Sequence, residues 1–201
     1  MQVVRLNPAN RIGILSLAQG ILKRGGAVVY PTETAYGLGA DFLSGPAYNR
    51  ILRIKGRPRD KALPVIIGSA RQASSLVEFS PRAWELAERY WPGPLTLVLP
   101  LRVKPVHEFF DNDYLAIRHS SHSLAQDLAR LLGGPIVATS ANLSGQAVCY
   151  NIDDVRRQFS GRQLRPDLII DAGPLPVQPA STLVRIKDGQ LEILRAGAIK
   201  I

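Results

Sequence analysis

"SHSLAQDLARLLGGPIVATSANLSG", residues 121–145, carries the information that decides the fold. Its first half has apolar residues at helical spacing after a capping serine, which predicts a helix from about Ser121 to Leu132, stopped by Gly133-Gly134. "PIVATSANLSG" then reads as a strand that runs straight into a loop of small and hydroxylated residues. A helix, a glycine stop, a buried strand and a polar loop at the strand's end form the repeating unit of an α/β protein.

The same grammar extends in both directions. Ile14, Leu17, Ala18, Ile21 and Leu22 predict a first helix over residues 10–24, ended by Gly25-Gly26, and "AVVY" (27–30) follows as a buried strand. Ser44 and Pro46 suit the cap and first turn of a second helix that turns Tyr48, Ile51 and Leu52 inward. "PVII" (64–67) is a strand, and Ser69 and Ser80-Pro81 open two further helices. "LTLVLP" (95–100), "YLAIR" (114–118) and "DLII" (167–170) read as strands, with a short helix near 152–159. A hairpin from "STLVRI" to "LEILR" turns at Asp188-Gly189. The expectation is a mixed sheet flanked by helices, in one α/β domain covering residues 1–201.

Composition sets the limits. The 201 residues are 46% apolar and 20% charged, as in globular proteins, and no apolar run approaches the ~18 residues of a membrane span. The start, "MQVVRLNPANRIG", lacks the layout of a signal peptide, and the lone Cys149 excludes an intrachain disulfide. A cytoplasmic protein is expected. The net charge of +9, from 25 basic and 16 acidic residues, favours anionic partners such as nucleotides or RNA.

Several site types are excluded. Gly-Lys never occurs, so there is no P-loop, and "GLGADF" (37–42) has Phe42 where a dinucleotide turn needs its third glycine. No Gly-x-Ser-x-Gly elbow is present. His119 and His122 read as a solvated pair at a helix start, with no third ligand for a metal. Four segments share a different character. "YPTETAYGLG" (30–39) and "ATSANLSG" (138–145) leave strands through hydroxyls and glycines. "KGRPRDK" (55–61) places four cations at alternating positions, and Ser181, Thr182, Arg195 and Gly197 come late. Ligands in α/β sheets gather at strand ends, so these loops together predict a polar pocket for a nucleotide or another polyanion.

"PTETAYGLG", "KGRPRDK", "WPGPLTLVLP", "LAIR" and "TSANLSG" stand in an order and spacing that resembles the YrdC/TsaC family, the threonylcarbamoyl-AMP synthases, from about residue 10 to 198. The resemblance is to the short, single-domain form. It implies a twisted, open α/β sheet enclosing a large basic cavity. It also implies the conversion of L-threonine, bicarbonate and ATP, with Mg²⁺ brought by ATP, to threonylcarbamoyl-AMP and pyrophosphate. That product feeds threonylcarbamoyladenosine modification of tRNA through a separate transferase complex.

By resemblance, Lys55 and Arg57 are the catalytic Lys-x-Arg pair. Arg57, Lys61, Ser140, Asn142, Val148 and Arg195 fall at ATP-binding positions, and Thr32, Thr34, Arg118, Ala138 and Ser181 at threonine-binding ones. Ala180 and Ala196 depart from many relatives, which have Glu and Pro there. A second reading is an RNA-binding module of the same fold without synthase activity, which would make a tRNA or other RNA contact; the +9 charge supports it. Low aromatic content and the lack of an RNA-recognition motif count against it. A carbamoyl-transfer domain of the hydrogenase-maturation type would bring zinc-finger and acylphosphatase segments, which this sequence lacks.

Overall fold

Serine caps start three helices where the sequence places them, whereas the helix Ser123–Leu132 is capped by His122 rather than Ser121. In the computed structural model, which describes residues 1–58, 62–102, 113–187 and 189–201, the hydroxyls of Ser44, Ser69 and Ser80 accept the N–H groups of Ala47, Gln72 and Ala83. Gly56 and Gly133 end two helices with φ of 62° and 77°, a conformation that other residues adopt at a cost.

In chain order the elements are β1 (Gln2–Arg5), α1 (Arg11–Lys23), β2 (Val28–Pro31), β3 (Tyr36–Gly39), α2 (Gly45–Lys55), β4 (Val65–Ile66), α3 (Ala70–Leu76) and α4 (Pro81–Tyr90). Then come β5 (Leu95–Pro100), β6 (Tyr114–Arg118), α5 (Ser123–Leu132), β7 (Ile136–Val137), β8 (Thr139–Ser140), α6 (Ile152–Phe159), β9 (Leu168–Asp171), β10 (Thr182–Lys187) and β11 (Gln190–Arg195). The mixed α/β class is as expected. The strands, however, divide between two sheets, ordered β1-β9-β2-β3-β8 and β11-β10-β5-β6-β4-β7. Each sheet mixes parallel pairs (β1/β9, β5/β10) with antiparallel ones (β2/β3, β5/β6).

The division happens inside the segment that reads as one strand, 136–140. β7 pairs with β4 in the second sheet, and β8 pairs with β3 in the first. Ala138 between them donates its N–H to Pro64 O at 2.8 Å. Alternate residues of the central strands serve two cores. Val28, Tyr30, Ile66, Ile136 and Ile170 pack with α1 and α5, whereas Val29, Val65, Val137 and Ile169 face the larger cluster with Leu38, Leu97 and Ile117. Both faces are apolar, which is why these strands read as unbroken apolar runs.

β3 is a strand despite its two glycines, and Gly39 has a physical reason. A Cβ there would stand 2.5 Å from Val137 O, 2.6 Å from Ile136 Cγ2 and 2.8 Å from Tyr30 Cε1. Only a bare backbone fits so close an approach. The histidines differ from expectation. They are half-buried rather than solvated: His122 caps α5 by accepting the Leu124 N–H at Nδ1, and His119 stands edge-on to Trp91. Burial lowers the pKa of both imidazoles.

Candidate active site

A cavity of about 400 Å³ opens where the ends of β2, β6 and β10 meet the sheet-crossing segment, and a second of about 250 Å³ adjoins it. Nine of the residues singled out in the sequence line the first: Thr32, Thr34, Arg57, Arg118, Ala138, Ser140, Val148, Ser181 and Arg195. Lys55 and Asn142 line the second, which shares Arg57 and Ser140 with the first. Lys61 lies outside the described residues.

The loop leaving β2 forms one wall. Thr32 is buried, and its hydroxyl is used inside the loop: it donates to Ala35 O at 2.7 Å and accepts the N–H groups of Thr34 and Ala35. This local bonding shapes the turn. Thr34 therefore carries the more available hydroxyl, 3.4 Å from an Arg118 Nη1 at the end of β6. Glu33, between the two threonines, accepts from Arg118 and from the Ser120 hydroxyl, and the Arg118 and Glu33 side chains are only 10% and 14% exposed.

Ser181 and Arg195 form the opposite wall. The Ser181 hydroxyl meets Thr96 Oγ1 at 2.8 Å and accepts from Arg195 Nη2 at 3.0 Å, and Arg195 also donates twice to Ser181 O. Gly197 lets the last segment lie against this strand, since a Cβ there would stand 2.2 Å from Ala180 O. Burial first, and the Arg118 charge second, push the Arg195 guanidinium pKa down. An anion between the two would relieve that repulsion.

The Ser140–Asn142 loop is held from below. Lys55, the last residue of α2, is 4% exposed, and its ammonium donates to Ser140 O (2.7 Å), Asn142 O (2.7 Å) and Asn142 Oδ1 (3.2 Å). Its three donors match these three acceptors. The Ser140 hydroxyl donates to the same Oδ1 at 2.5 Å, and Asn142 Nδ2 donates to Gln146 O at 2.6 Å. Burial, then the Arg57 charge, push the Lys55 pKa down to about 8. Arg57 lies one residue beyond the Gly56 cap and donates to Ala62 O at 3.3 Å. Ala138 brings backbone to the first cavity, and Val148, 40% exposed, stands at its rim.

Sequence reasoning missed Glu33, Thr96, Tyr30 and Tyr150. Thr96 had a signal, since it is the lone hydroxyl within the apolar strand "LTLVLP". Glu33 had none, because its partner Arg118 is 85 residues away. Tyr30 ends an apolar strand and lines the cavity with its phenol buried, and Tyr150 reaches Gln178 O at 3.2 Å.

The Sua5/YciO/YrdC family model, described as "Telomere recombination", matches residues 20–197. A threonylcarbamoyl-AMP synthase of Pyrococcus abyssi (strain GE5 / Orsay) is 38% identical over 189 residues, 93% of this chain and 55% of the relative. One of Yersinia enterocolitica (serotype O:8 / biotype 1B) is 37% identical over 177 residues, 81% of this chain and 93% of the relative. The crystal structure of P. abyssi Sua5 complexed with L-threonine superposes with a TM-score of 0.87 at 37% identity, covering 98% of this chain and 57% of that one. The chain thus spans about half the length of the archaeal relative and most of the Yersinia one. With nearly all of its length matched by that model, the chain belongs to the Sua5/YciO/YrdC family.

Proposed function

We propose that this protein is a threonylcarbamoyl-AMP synthase acting as one domain over residues 1–201, in the cytoplasm. The observation that carries the reading is the meeting of the "PTET" loop, Arg118, Ser181 and Arg195 around one cavity, with the Ser140–Asn142 loop on its border. A relative of the same fold is solved with L-threonine.

In this reading threonine lies near Thr34, Arg118, Ala138 and Ser181. Its amine condenses with bicarbonate, releasing water and a proton, to give a carbamate, whose oxygen attacks the α-phosphate of ATP and expels pyrophosphate. No protein nucleophile is needed. Arg57 and Arg195 supply fixed positive charge for the departing pyrophosphate, which makes the cavity basic toward its ligand. Lys55 acts by holding the Ser140–Asn142 loop, since its donors are engaged there. Thr32 acts by shaping its turn. The three substrates are brought together in one cavity, which lowers the entropic part of the barrier.

Among the described residues no group of three His, Cys, Asp or Glu is placed to hold a metal ion. In the proposed reaction Mg²⁺ arrives with ATP, bound to the triphosphate. The product would pass to the transferase complex that modifies tRNA. No described helix is long and apolar enough to cross a membrane.

The test is incubation with ATP, bicarbonate and L-threonine, following adenylate and pyrophosphate by mass spectrometry. Adenylate should form only with both threonine and bicarbonate present. AMP release at the same rate without threonine would refute the reading.

A further inference from the structure

We propose that Glu33 is a positioning residue that makes the Arg118 end of the cavity select a zwitterion over a simple anion. This rests on reading that end as the amino-acid seat.

Arg57, Arg118 and Arg195 all line the cavity, and no Asp or Glu is among its described lining residues. The charges of that described lining are all positive, which favours any small anion. Glu33 alters this at one of them. Its carboxylate stands behind Arg118, outside the lining, with one oxygen on the guanidinium and the other on the Ser120 hydroxyl. Both side chains are at least 86% buried, so solvent screens the pair weakly.

Two consequences follow. The guanidinium is fixed in orientation by Glu33 and Thr34, leaving its other N–H groups for a ligand carboxylate. The ligand also feels Glu33's negative charge. Burial raises the pKa of the Tyr30 phenol on the cavity wall, and to a lesser extent Arg118 lowers it and Glu33 raises it. A bare anion is partly repelled by Glu33, whereas the ammonium of an amino acid is attracted. A purely structural carboxylate, tying the β2 loop to the end of β6, would favour neither ligand.

The test is titration calorimetry without ATP, using L-threonine and its deaminated counterpart 3-hydroxybutyrate. Wild type should bind threonine at least about tenfold more tightly. In Glu33→Gln that ratio should fall about tenfold, as expected for removing a nearby charge in a partly buried site. A structural role would weaken both compounds alike, and an unchanged ratio in the folded variant overturns the inference. Wild type alone gives a second readout that does not depend on the variant folding. Threonine should bind more tightly than 3-hydroxybutyrate, which lacks the ammonium, and than threoninamide, which lacks the carboxylate. Tighter binding of either analogue, or no binding of threonine, also overturns it. A wild type that ranks the compounds as expected yet makes no adenylate sinks the synthase reading and leaves this inference standing.

Discussion

Replacing Lys55 with Met separates two roles for a buried cation. As a phosphate contact, Lys55 would weaken the ligand-free fold, because it is desolvated and repelled by Arg57. Its removal would then leave the apo protein as stable as wild type or more so. As the fastener of the Ser140–Asn142 loop, it stabilises the fold. Met fills the space of the lysine stem, so no large cavity forms. Three hydrogen bonds are lost, but two of the acceptors keep partners. Ser140 O retains the Asn142 N–H at 2.8 Å, and Asn142 Oδ1 retains the Ser140 hydroxyl. Asn142 O loses its ammonium partner, and an acceptor left so costs about 1–3 kcal/mol. Relief of the buried charge offsets part of the loss, so a net destabilisation of about 2 kcal/mol is expected. At roughly 2–4 °C per kcal/mol for a chain of this size, the apo Tm should fall about 4–8 °C. Thermal unfolding by circular dichroism at neutral pH measures it, with the KM for ATP as companion. An apo Tm at or above the wild-type value would refute the fastener role.

Three further outcomes are expected. Arg57→Lys keeps the charge but loses the planar fork, so adenylate formation should slow roughly ten- to a hundredfold while the apo Tm moves by no more than about 3 °C. Wild-type kinetics in that variant would remove Arg57 from phosphate binding. Gly39→Ala drives a methyl into Val137 O and the Tyr30 ring, and should cost at least about 2 kcal/mol by denaturant unfolding. An unchanged midpoint would mean that the sheets separate there without cost. Lys55 should titrate near pH 8 by ¹³C NMR of its ε-carbon, well below the ordinary 10.5. Between those values the unfolded chain holds a proton that the folded one has released, so stability relative to Lys55→Met should rise with pH across that window. A midpoint near 10.5 would contradict the burial argument.

Local chemistry was the legible part of the sequence. Ser44, Ser69 and Ser80 act within three residues of themselves, so their caps could be read directly. The same holds for Gly133 and for the hairpin of β10 and β11, although Asp188 lies outside the described residues. What was not legible depends on partners far along the chain. β1 is four residues at a sheet edge, made a strand by pairing with Leu168–Asp171. "YGLG" looked like a loop because its glycines answer to Tyr30 and Val137 rather than to any local turn. Residues 136–140 carry one apolar strand pattern, and alternation cannot say that pairing changes sheet at Ala138. The candidate site followed the same rule. Hydroxyls and cations at strand ends were visible, whereas the Glu33–Arg118 pair and the engagement of Lys55 beneath the loop were not.

The passage of one segment between two sheets bears on how the molecule comes apart. Val137, in β7 of the second sheet, donates its N–H to Ala40 O beside β3, and Ala138 donates to Pro64 O beside β4, so the crossing is tied to both sheets. Neither sheet can open over this stretch while the other keeps its full pairing. A ligand seated against Ala138 and Ser140 therefore stabilises both at once. Its binding energy adds to the cooperative opening of the whole structure rather than to a local fluctuation. Slowed amide exchange on ligand binding should then extend into β9 and β10, strands of different sheets that share no ladder with each other.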